Sequence, residues 1–363
     1  MRVLWLNHRD IENPASGGAE RTIFEISRRL TVAGCQVHLV SCGWPGSRPH
    51  SDVEGVHIDR FPGYVGPHLI LPRLLHTPDR PDIVVDDLAH VVPWGSPLLS
   101  SIPGAVVFRH LHARTLSGQV GPAASWILKR IERSYPIVYR SWPFVTETRR
   151  SVLDLVHMGI PESRCRIIRP GVDTDLFKPG AKTTHPLIVY FGGLRPYKRP
   201  DHAVKAFARL RSSHADYRMV VIGSGPSLIE LRELSSSLGI RDSLTFLGRI
   251  ETERLADILS TAWVNLHCST AEGWGSSVLE AAAAGVATVA YRVPGLIESV
   301  SEGESGLLVE DNQVERLAAG VEEIVANVSG WSRSSRKHAE QYDWGKATSS
   351  WRALFDELVK LPG

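Results

Sequence analysis

Short apolar runs alternate with helix-length amphipathic segments along the whole chain. The runs are rich in Val, Ile and Leu, which is typical of parallel strands covered by helices on both faces. The predicted strands of the first half are 2–7, 36–41, 82–85, 105–108 and 143–145. Those of the second half are 187–191, 219–222, 244–246, 263–267, 287–291 and 307–309. With a first helix over 19–33, ended by Gly34, the pattern predicts an α/β fold with a doubly wound, Rossmann-like sheet in each half.

The segment 170–186 interrupts this alternation, because it is dense in Pro, Gly and polar residues and has no periodicity. It predicts a linker between a domain over 1–169 and a domain over 187–341. The last segment, 342–363, has apolar residues at helical spacing and predicts a C-terminal helix. Ligands of open α/β sheets bind beyond the carboxyl ends of the strands, so two such sheets facing each other would form a cleft for two substrates.

Composition is ordinary for a globular protein, with 43% hydrophobic and 22% charged residues among 363. The first apolar run turns polar at Asn7, and no later run is long enough for a membrane span, so no signal peptide or span is expected. The four cysteines lack C-x-x-C spacing, which favours a reducing cytoplasm over a disulfide framework or zinc site. Through Arg169 there are 20 Lys and Arg against 15 Asp and Glu, so the first half is expected to face any anionic partner.

The most informative segment is 271–285, which follows the predicted strand 263–267. Gly275 lets the backbone approach a ligand closely, and Ser276 or Ser277 can cap the helix that begins there. The free amides of the first turn offer the positive end of a helix dipole to phosphates. The segment therefore predicts a site for a diphosphate.

Two glutamates flank this helix start. Glu272 precedes it and Glu280 lies about one turn inside it, so the two carboxylates can accept hydrogen bonds from different hydroxyls of one ligand. The word E-G-W-G-S-S-V-L-E-A resembles the signature of glycosyltransferase family 4. That resemblance implies that Glu280 binds the nucleotide ribose, Glu272 contacts the donor sugar and the amides of 275–277 hold the diphosphate. The alternative is an ordinary helix start with incidental acids.

The resemblance implies a GT-B architecture, with two Rossmann-like domains facing a central cleft and a C-terminal helix crossing back to the N-terminal domain. The first domain would bind the acceptor and the second the nucleotide sugar. In the loop 13–20, Gly17 and Gly18 are similar to the family's G-G-A-E loop, which contacts donor phosphate or acceptor. By itself, this glycine pair would be a tight turn between strand and helix.

The segment 190–201 is similar to the family's G-R-L-x-x-x-K-G motif and places Lys198 where it can neutralise a leaving diphosphate. It departs from the motif in two places: Gly193 stands where Arg is usual, and Arg199 stands where Gly is common. Arg195 is the candidate to replace the missing cation. The alternative is a solvated basic turn.

His110 follows the predicted strand 105–108. Family members often carry a histidine there that contacts the donor sugar, and the resemblance makes His110 a candidate catalytic residue. His112 and Arg109 are the alternatives, and a structural histidine is the ordinary reading.

Two acidic pairs, Asp86 with Asp87 and Asp173 with Asp175, have a spacing that can hold a divalent ion. The second pair resembles the family's hinge phrase G-V-D-x-x-x-F. Because GT-B enzymes generally use amides and cations, we expect no metal and no cofactor besides the donor.

Basic and aromatic residues are interleaved over 124–150, which is typical of a surface that lies on anionic lipid. A solvated face over core aromatics and an acceptor phosphate site are the alternatives. No nucleic-acid recognition motif is present. The expected location is the cytoplasm, with peripheral contact at the cytoplasmic face of a membrane.

Taken together, the resemblance implies a retaining hexosyltransferase that uses a nucleoside diphosphate sugar and an acceptor hydroxyl. The acceptor could be a lipid-linked sugar, a polysaccharide precursor or a small metabolite. A GT-B sugar-nucleotide epimerase and a non-catalytic sugar-nucleotide-binding subunit are the alternatives. An epimerase would isomerise the donor without an acceptor, and a binding subunit would show no turnover.

Overall fold

A computed structural model describes residues 1–89, 92–112 and 121–360 of the chain. The described strands are β1 Arg2–Leu6, β2 Gln36–Gly43, β3 His50–Val53, β4 Val56–Pro62, β5 Ile83–Asp87, β6 Gly104–Val107, β7 Phe144–Thr146, β8 Cys165–Ile167, β9 Leu187–Phe191, β10 Arg218–Ile222, β11 Leu244–Gly248, β12 Val264–His267, β13 Ala287–Tyr291 and β14 Gly306–Val309. The described α-helices are α1 Gly18–Val32, α2 Gly66–Leu75, α3 Ser96–Leu99, α4 Pro122–Glu132, α5 Tyr135–Val138, α6 Arg149–His157, α7 Pro200–Ser213, α8 Leu228–Ser237, α9 Thr252–Thr261, α10 Ser276–Ala283, α11 Leu296–Ser299, α12 Val314–Ala326, α13 Val328–Ala339 and α14 Trp344–Lys360. Short 3-10 turns lie at Glu162–Arg164, Pro196–Lys198 and Arg241–Ser243.

The chain forms two compact units: Met1–Gly171 together with Trp344–Gly363, and Val172–Asp343. The boundary lies inside the segment 170–186, which was predicted to be a linker. Most of that segment, from Val172 onward, belongs to the second unit. Phe177 explains this, since its side chain is buried in the apolar core of the second unit. The backbone N–H of Val172 also donates to the carbonyl of Tyr342 at 3.0 Å.

The first unit contains a sheet with the strand order β3-β4-β2-β1-β5-β6-β7-β8. Strand β3 is antiparallel to β4, and the remaining pairs are parallel. Apolar residues from both faces of the sheet form separate clusters under the helices. The C-terminal helix α14 belongs to this unit: Trp351 packs on Trp5 with ring centroids 4.9 Å apart.

The second unit contains a parallel sheet with the strand order β11-β10-β9-β12-β13-β14. Its strands are buried by helices, and their Val, Ile and Ala side chains belong to two apolar clusters. Strands β9 and β12 are neighbours at the centre of this sheet, and the strands that follow each of them extend to opposite sides. In such sheets, ligands bind in the crevice at the carboxyl edge where the strand order reverses. The α/β fold with a doubly wound sheet in each half is as predicted.

Strands β3, β4 and β8 were not predicted. Strand β4 alternates buried and partly exposed residues and its partner β3 is mostly exposed, so neither forms the continuous apolar run that marked the central strands. Strand β8 is a three-residue edge strand. No helix among the described residues is long and apolar enough to cross a membrane.

Candidate functional site

Lys198 and Glu272 meet at the carboxyl edge of the second unit's sheet. Lys198 ends the 3-10 turn Pro196–Lys198 that follows β9, and Glu272 lies on the loop between β12 and α10. Lys198 Nζ donates to Glu272 Oε1 at 2.7 Å. The two loops are also joined through their backbones, because the N–H of Thr270 donates to the carbonyl of Tyr197 at 2.9 Å. Lys198 and Glu272, which were predicted separately as site residues, therefore form an ion pair.

Glu272 Oε1 receives further contacts. Ser269 Oγ donates to it at 2.6 Å, and His267 Nε2 lies 3.7 Å away. Burial alone would raise the pKa of Glu272, but Lys198 and His267 and the hydrogen bonds from Lys198 and Ser269 lower the pKa to about 2. Burial lowers the pKa of His267 to about 4. The site thus holds an ionised carboxylate beside a neutral imidazole.

Lys198 stays charged in this environment. Its burial lowers the pKa of the amine, but the Glu272 carboxylate outweighs that effect and the pKa is raised overall. Ser269 and His267 were missed by sequence reasoning. Their position at the end of β12, directly before the motif, is the signal that could have found them.

Helix α10 begins at Ser276, and its N-cap is Gly275 with φ 90° and ψ 53°. The expectation that Ser276 or Ser277 caps the helix is wrong, because both lie inside its first turn. A left-handed N-cap favours glycine, and glycine has no side chain to occupy the first-turn amides. Glu280 lies one turn further along and is partly exposed.

Gly295 fixes the loop that carries Glu272. The backbone N–H of Glu272 donates to the carbonyl of Pro294 at 3.0 Å. A Cβ atom at Gly295, whose φ is 84°, would lie 2.3 Å from the carbonyl oxygen of Glu272. Only glycine fits so close an approach, so Gly295 is a positioning residue for the Glu272 loop.

The two departures from the family motif have different structural settings. Arg199 adopts the left-handed conformation with φ 46°, which explains why glycine is common there. Its guanidinium turns to Asp311, with Nη1 2.5 Å from Oδ1. Arg195 is exposed and makes no side-chain hydrogen bond or ion pair within the described part of the chain. A Cβ at Gly193 would meet only Arg195 atoms, at 3.9 Å.

In the first unit, Gly17 and Gly18 stand at the start of α1. The N–H of Gly17 donates to Glu20 Oε2 at 2.7 Å, in a capping-box arrangement. The predicted turn between strand and helix is present, and one of its amides is occupied by a carboxylate from the same helix.

Among the three candidates after β6, Arg109 and His112 are buried. Arg109 is buried between Asp87 and Glu147, with N–O distances of 2.9 and 2.8 Å. His112 is buried, its Nε2 lies 3.0 Å from the carbonyl oxygen of Ala89, and burial lowers its pKa. His110 is partly exposed, and its ring lies 4.8 Å from that of His112.

The two acidic pairs have protein partners. Asp86 accepts hydrogen bonds from the hydroxyl and the N–H of Ser96 at 2.6 and 3.2 Å, and burial raises its pKa to about 7. Asp87 is paired with Arg109. Asp173 accepts hydrogen bonds from two backbone N–H groups of its own turn. The neighbouring side chain of Asp175 is 98% exposed.

The segment 124–150 divides between core and surface. Tyr135, Tyr139 and Trp142 are buried in the first unit. Trp126 is 60% exposed, and the guanidinium of Arg130 lies 5.1 Å from its ring centroid. Phe144 is buried with them, so the core-aromatic alternative holds for four of the five aromatic residues in this segment.

Two family models match the chain. The model described as Glycosyltransferase Family 4 matches residues 16–176, and the model described as Glycosyl transferases group 1 matches residues 172–342. Together they span residues 16–342 and meet at the boundary between the two units.

Similar proteins include D-inositol 3-phosphate glycosyltransferases. The protein of that name from Acidothermus cellulolyticus is 30% identical over 273 residues, which are 69% of this chain and 60% of that protein. The D-inositol 3-phosphate glycosyltransferase 2 from Catenulispora acidiphila is 25% identical over 95% of this chain and 91% of that protein. The chain thus spans about half to two thirds of several curated relatives that it matches.

Solved structures share the fold. A sucrose-phosphate synthase from Thermosynechococcus elongatus superposes with a TM-score of 0.83 at 18% identity, over 98% of each chain. HepE from Anabaena, whose crystal structure holds UDP and glucose, superposes with a TM-score of 0.80 at 16% identity, over 99% of this chain and 100% of that one. From the two matched models and the GT-B fold, we conclude that this chain belongs to the family 4 type of glycosyltransferases.

Proposed function

We propose that the chain is a retaining hexosyltransferase that uses a nucleoside diphosphate sugar and an acceptor hydroxyl. The observation that carries this proposal is the Lys198–Glu272 pair, 2.7 Å apart and next to the start of α10. A cation, a carboxylate and first-turn amides are complementary to a diphosphate linked to a sugar. Family membership and fold support the same class of reaction.

The donor contacts are proposed as follows. The amides of Gly275, Ser276 and Ser277 bind the diphosphate, because a glycine N-cap leaves the first turn without a side-chain acceptor. Glu280 accepts hydrogen bonds from the ribose hydroxyls. Glu272 contacts the hexose through Oε2, since the hydrogen bonds that it accepts from Lys198 and Ser269 both go to Oε1.

Lys198 and Arg195 neutralise the diphosphate as it leaves. Charge builds on the leaving phosphate oxygen in the transition state, and fixed cations stabilise it where water is excluded. Lys198 uses one of its three N–H donors on Glu272, and the exposed Arg195 replaces the arginine missing at Gly193. These two cations supply the role that a divalent metal has in other transferases, so we propose a metal-independent reaction.

The first unit is proposed to bind the acceptor. His110 and the Gly17–Gly18 turn are the proposed substrate contacts of this unit. Glu272, the carboxylate proposed to contact the hexose, is held by hydrogen bonds from Lys198 and Ser269. We therefore favour a same-face displacement, in which the acceptor oxygen bonds to the anomeric carbon and its proton passes to the departing phosphate oxygen.

UDP-glucose is the first donor to test, because HepE binds UDP and glucose in a structure with the same fold. A polyol phosphate is the first acceptor to test, because similar proteins are named for inositol 3-phosphate. The excess of basic residues in the first half supports an anionic acceptor.

The test measures donor consumption by the purified protein with and without acceptor, and reads the anomeric configuration of the product by NMR. Acceptor-dependent product with the donor's configuration supports the proposal. Isomerised donor without acceptor would show an epimerase, and donor binding without turnover would show a binding subunit. An inverted product would overturn the retaining mechanism.

Donor binding tests the site residues separately. Glu280→Ala should weaken nucleotide binding by about 1 to 3 kcal/mol, because charge-assisted hydrogen bonds to the ribose are lost. The matched control is Glu253→Ala, which removes an exposed glutamate of the same unit at the start of α9. Calorimetric titration with UDP measures both, and unchanged affinity in Glu280→Ala would remove Glu280 from the site.

We also propose peripheral contact with the cytoplasmic face of a membrane through α4 and α5. Trp126, Ile127 and Ile137 are 51 to 73% exposed, and Lys129 and Arg130 lie beside them on α4. Apolar and basic side chains on one exposed segment favour anionic lipid. Sedimentation with anionic vesicles should carry the protein down and Trp126→Ser should reduce the bound fraction; equal binding to neutral vesicles would contradict an electrostatic contribution.

A further inference from the structure

Five histidine and aspartate side chains share one face of the sheet edge formed by β2, β3 and β4. His57 and Asp59 are two residues apart on β4, so both project to the same face. The register pairs His38 on β2 with His57, and on β3 it pairs His50 with Asp59 and Asp52 with His57. Cross-strand partners lie on the same face of a sheet. The backbone alone therefore gathers the five residues.

The side chains converge on Asp59. Its Oδ2 lies 2.9 Å from His38 Nε2, and its Oδ1 lies 2.5 Å from His50 Nδ1 and 3.2 Å from His57 Nε2. One ligand atom from each of His38, His57 and Asp59 lies within 4.8 Å of the others. Tetrahedral zinc with bonds of 2.0 to 2.2 Å keeps ligand atoms about 3.3 Å apart, so rotation of partly exposed imidazoles is enough to reach it.

The second nitrogen of His57 adds an independent observation. Its Nδ1 lies 3.3 Å from Asp52 Oδ1, while its Nε2 faces Asp59. A histidine that binds a metal through one nitrogen usually donates its other N–H to a carboxylate, which fixes the tautomer and the ring orientation. Asp52 is placed for that role. A simple hydrogen-bond network around one carboxylate would not need a second carboxylate behind the imidazole.

We propose that His38, His57 and Asp59, with His50 as the fourth ligand, form a Zn²⁺ site, and that Asp52 orients His57. Imidazole and carboxylate donors suit zinc and related transition metals better than Mg²⁺ or Ca²⁺. The ligands come from three strands, so the ion ties the antiparallel edge strand β3 to the parallel sheet. His38 and His57 lie near the amino ends of β2 and β4, away from the carboxyl ends where ligands of such sheets bind. The role of the ion is therefore structural.

Titration of tag-free protein with Co²⁺ tests the site, because tetrahedral Co²⁺ gives intense visible bands that octahedral Co²⁺ lacks. We expect these bands to saturate at one equivalent and to disappear when Zn²⁺ is added. His57→Gln and His50→Gln should each weaken Co²⁺ binding at least about tenfold. Both residues are partly exposed, with 45% and 67% of the side chain accessible, so the variants should fold.

The matched control is His185→Gln, which changes a histidine 3.7 Å from Asp216 in the second unit and outside the cluster. It should leave Co²⁺ binding unchanged. Zn²⁺ should raise the melting temperature of the wild-type protein and of His185→Gln, and should raise it less in His57→Gln. Weak octahedral bands, or tetrahedral bands that survive in both cluster variants, would overturn the proposal.

Discussion

Both units have ion pairs at the carboxyl ends of parallel strands. The two sites differ in how many of their charged atoms already contact other protein groups. In the first unit, Arg109 contacts Asp87 and Glu147, and Asp87 is completely buried. In the second, Lys198 pairs with one carboxylate, that of Glu272, and also lies 5.6 Å from the ring centroid of Tyr197; the side chains of Lys198 and Glu272 are 19% and 13% exposed. In the first site, protein groups already occupy the hydrogen-bonding capacity of the guanidinium. In the second, Lys198 N–H donors and Glu272 Oε2 are left for a ligand.

The number of protein partners distinguishes a stabilising ion pair from one that can bind a ligand. The guanidinium of Arg109 is shared between two carboxylates and also lies 3.4 Å from the carbonyl oxygen of Ala19, so it has little capacity for a substrate. The local sequence around Arg109 and His110 does not indicate these contacts.

Arg109→Met should have the largest effect on stability. It leaves the Asp87 and Glu147 carboxylates buried without their cation, which costs about 3 to 5 kcal/mol. Urea denaturation measures the loss. Arg166→Met is the control, because Arg166 and Glu357 are 42% and 53% exposed and such a pair contributes at most about 1 kcal/mol. Equal losses in the two variants would show that the Arg109 network is not the stabilising one.

Lys198→Met should have its main effect on activity. Removing a cation that stabilises the leaving diphosphate should lower kcat/KM about 10² to 10³-fold. Lys205→Met is the matched control, since Lys205 pairs with Asp201 on an exposed face of α7 in the same unit. It should retain wild-type activity. If Lys198→Met keeps its activity and loses only stability, the Lys198–Glu272 pair is structural like that of Arg109.

The site residues of the second unit could be predicted from the sequence, but the Arg109 network of the first unit could not. The motif from Glu272 to Glu280 is contiguous in the sequence. The order of strand, loop and helix start is enough to predict that its residues share one site. The Arg109 network joins residues at or just after the ends of three strands. Arg109 is 22 and 38 positions from Asp87 and Glu147 in the chain, and no local pattern marks the network. The histidine cluster was hidden for another reason: His50, Asp52, His57 and Asp59 alternate on the edge strand β3 and its neighbour β4, which lack an apolar run.

Asp86 in the first unit and Glu272 in the second should contribute to the pH dependence of stability with opposite signs. Burial raises the pKa of Asp86 to about 7, so the folded state holds a proton that the unfolded state has lost, and stability falls as pH rises from about 4 to 7. The pKa of Glu272 is lowered to about 2, so its contribution is present above about 4.5 and is lost as pH falls toward 2.

Asp86→Asn isolates the first of these effects. It removes the titrating group and should flatten the fall in unfolding free energy between pH 4 and 7, which is at most about 1.4 kcal/mol per pH unit for one proton. Asp79→Asn is the control, because that side chain is 95% exposed. Denaturant midpoints at four pH values measure the slope. A slope that is unchanged in Asp86→Asn would assign the pH dependence to other groups.

Gly193→Arg should have the smallest effect, and it tests the Lys198–Glu272 site, which has donors and an oxygen left for a ligand. Gly193 is not in the left-handed region, and a Cβ there meets only Arg195 atoms at 3.9 Å, so the unfolding free energy should change by less than about 0.5 kcal/mol. The added cation should tighten binding of a nucleoside diphosphate by about 1 kcal/mol. If Arg195 already replaces the missing arginine, Arg195→Gln should weaken binding more in the wild-type background than in Gly193→Arg. Equal losses in both backgrounds would mean that the two positions act independently, and that Lys198 alone supplies the cation at the diphosphate.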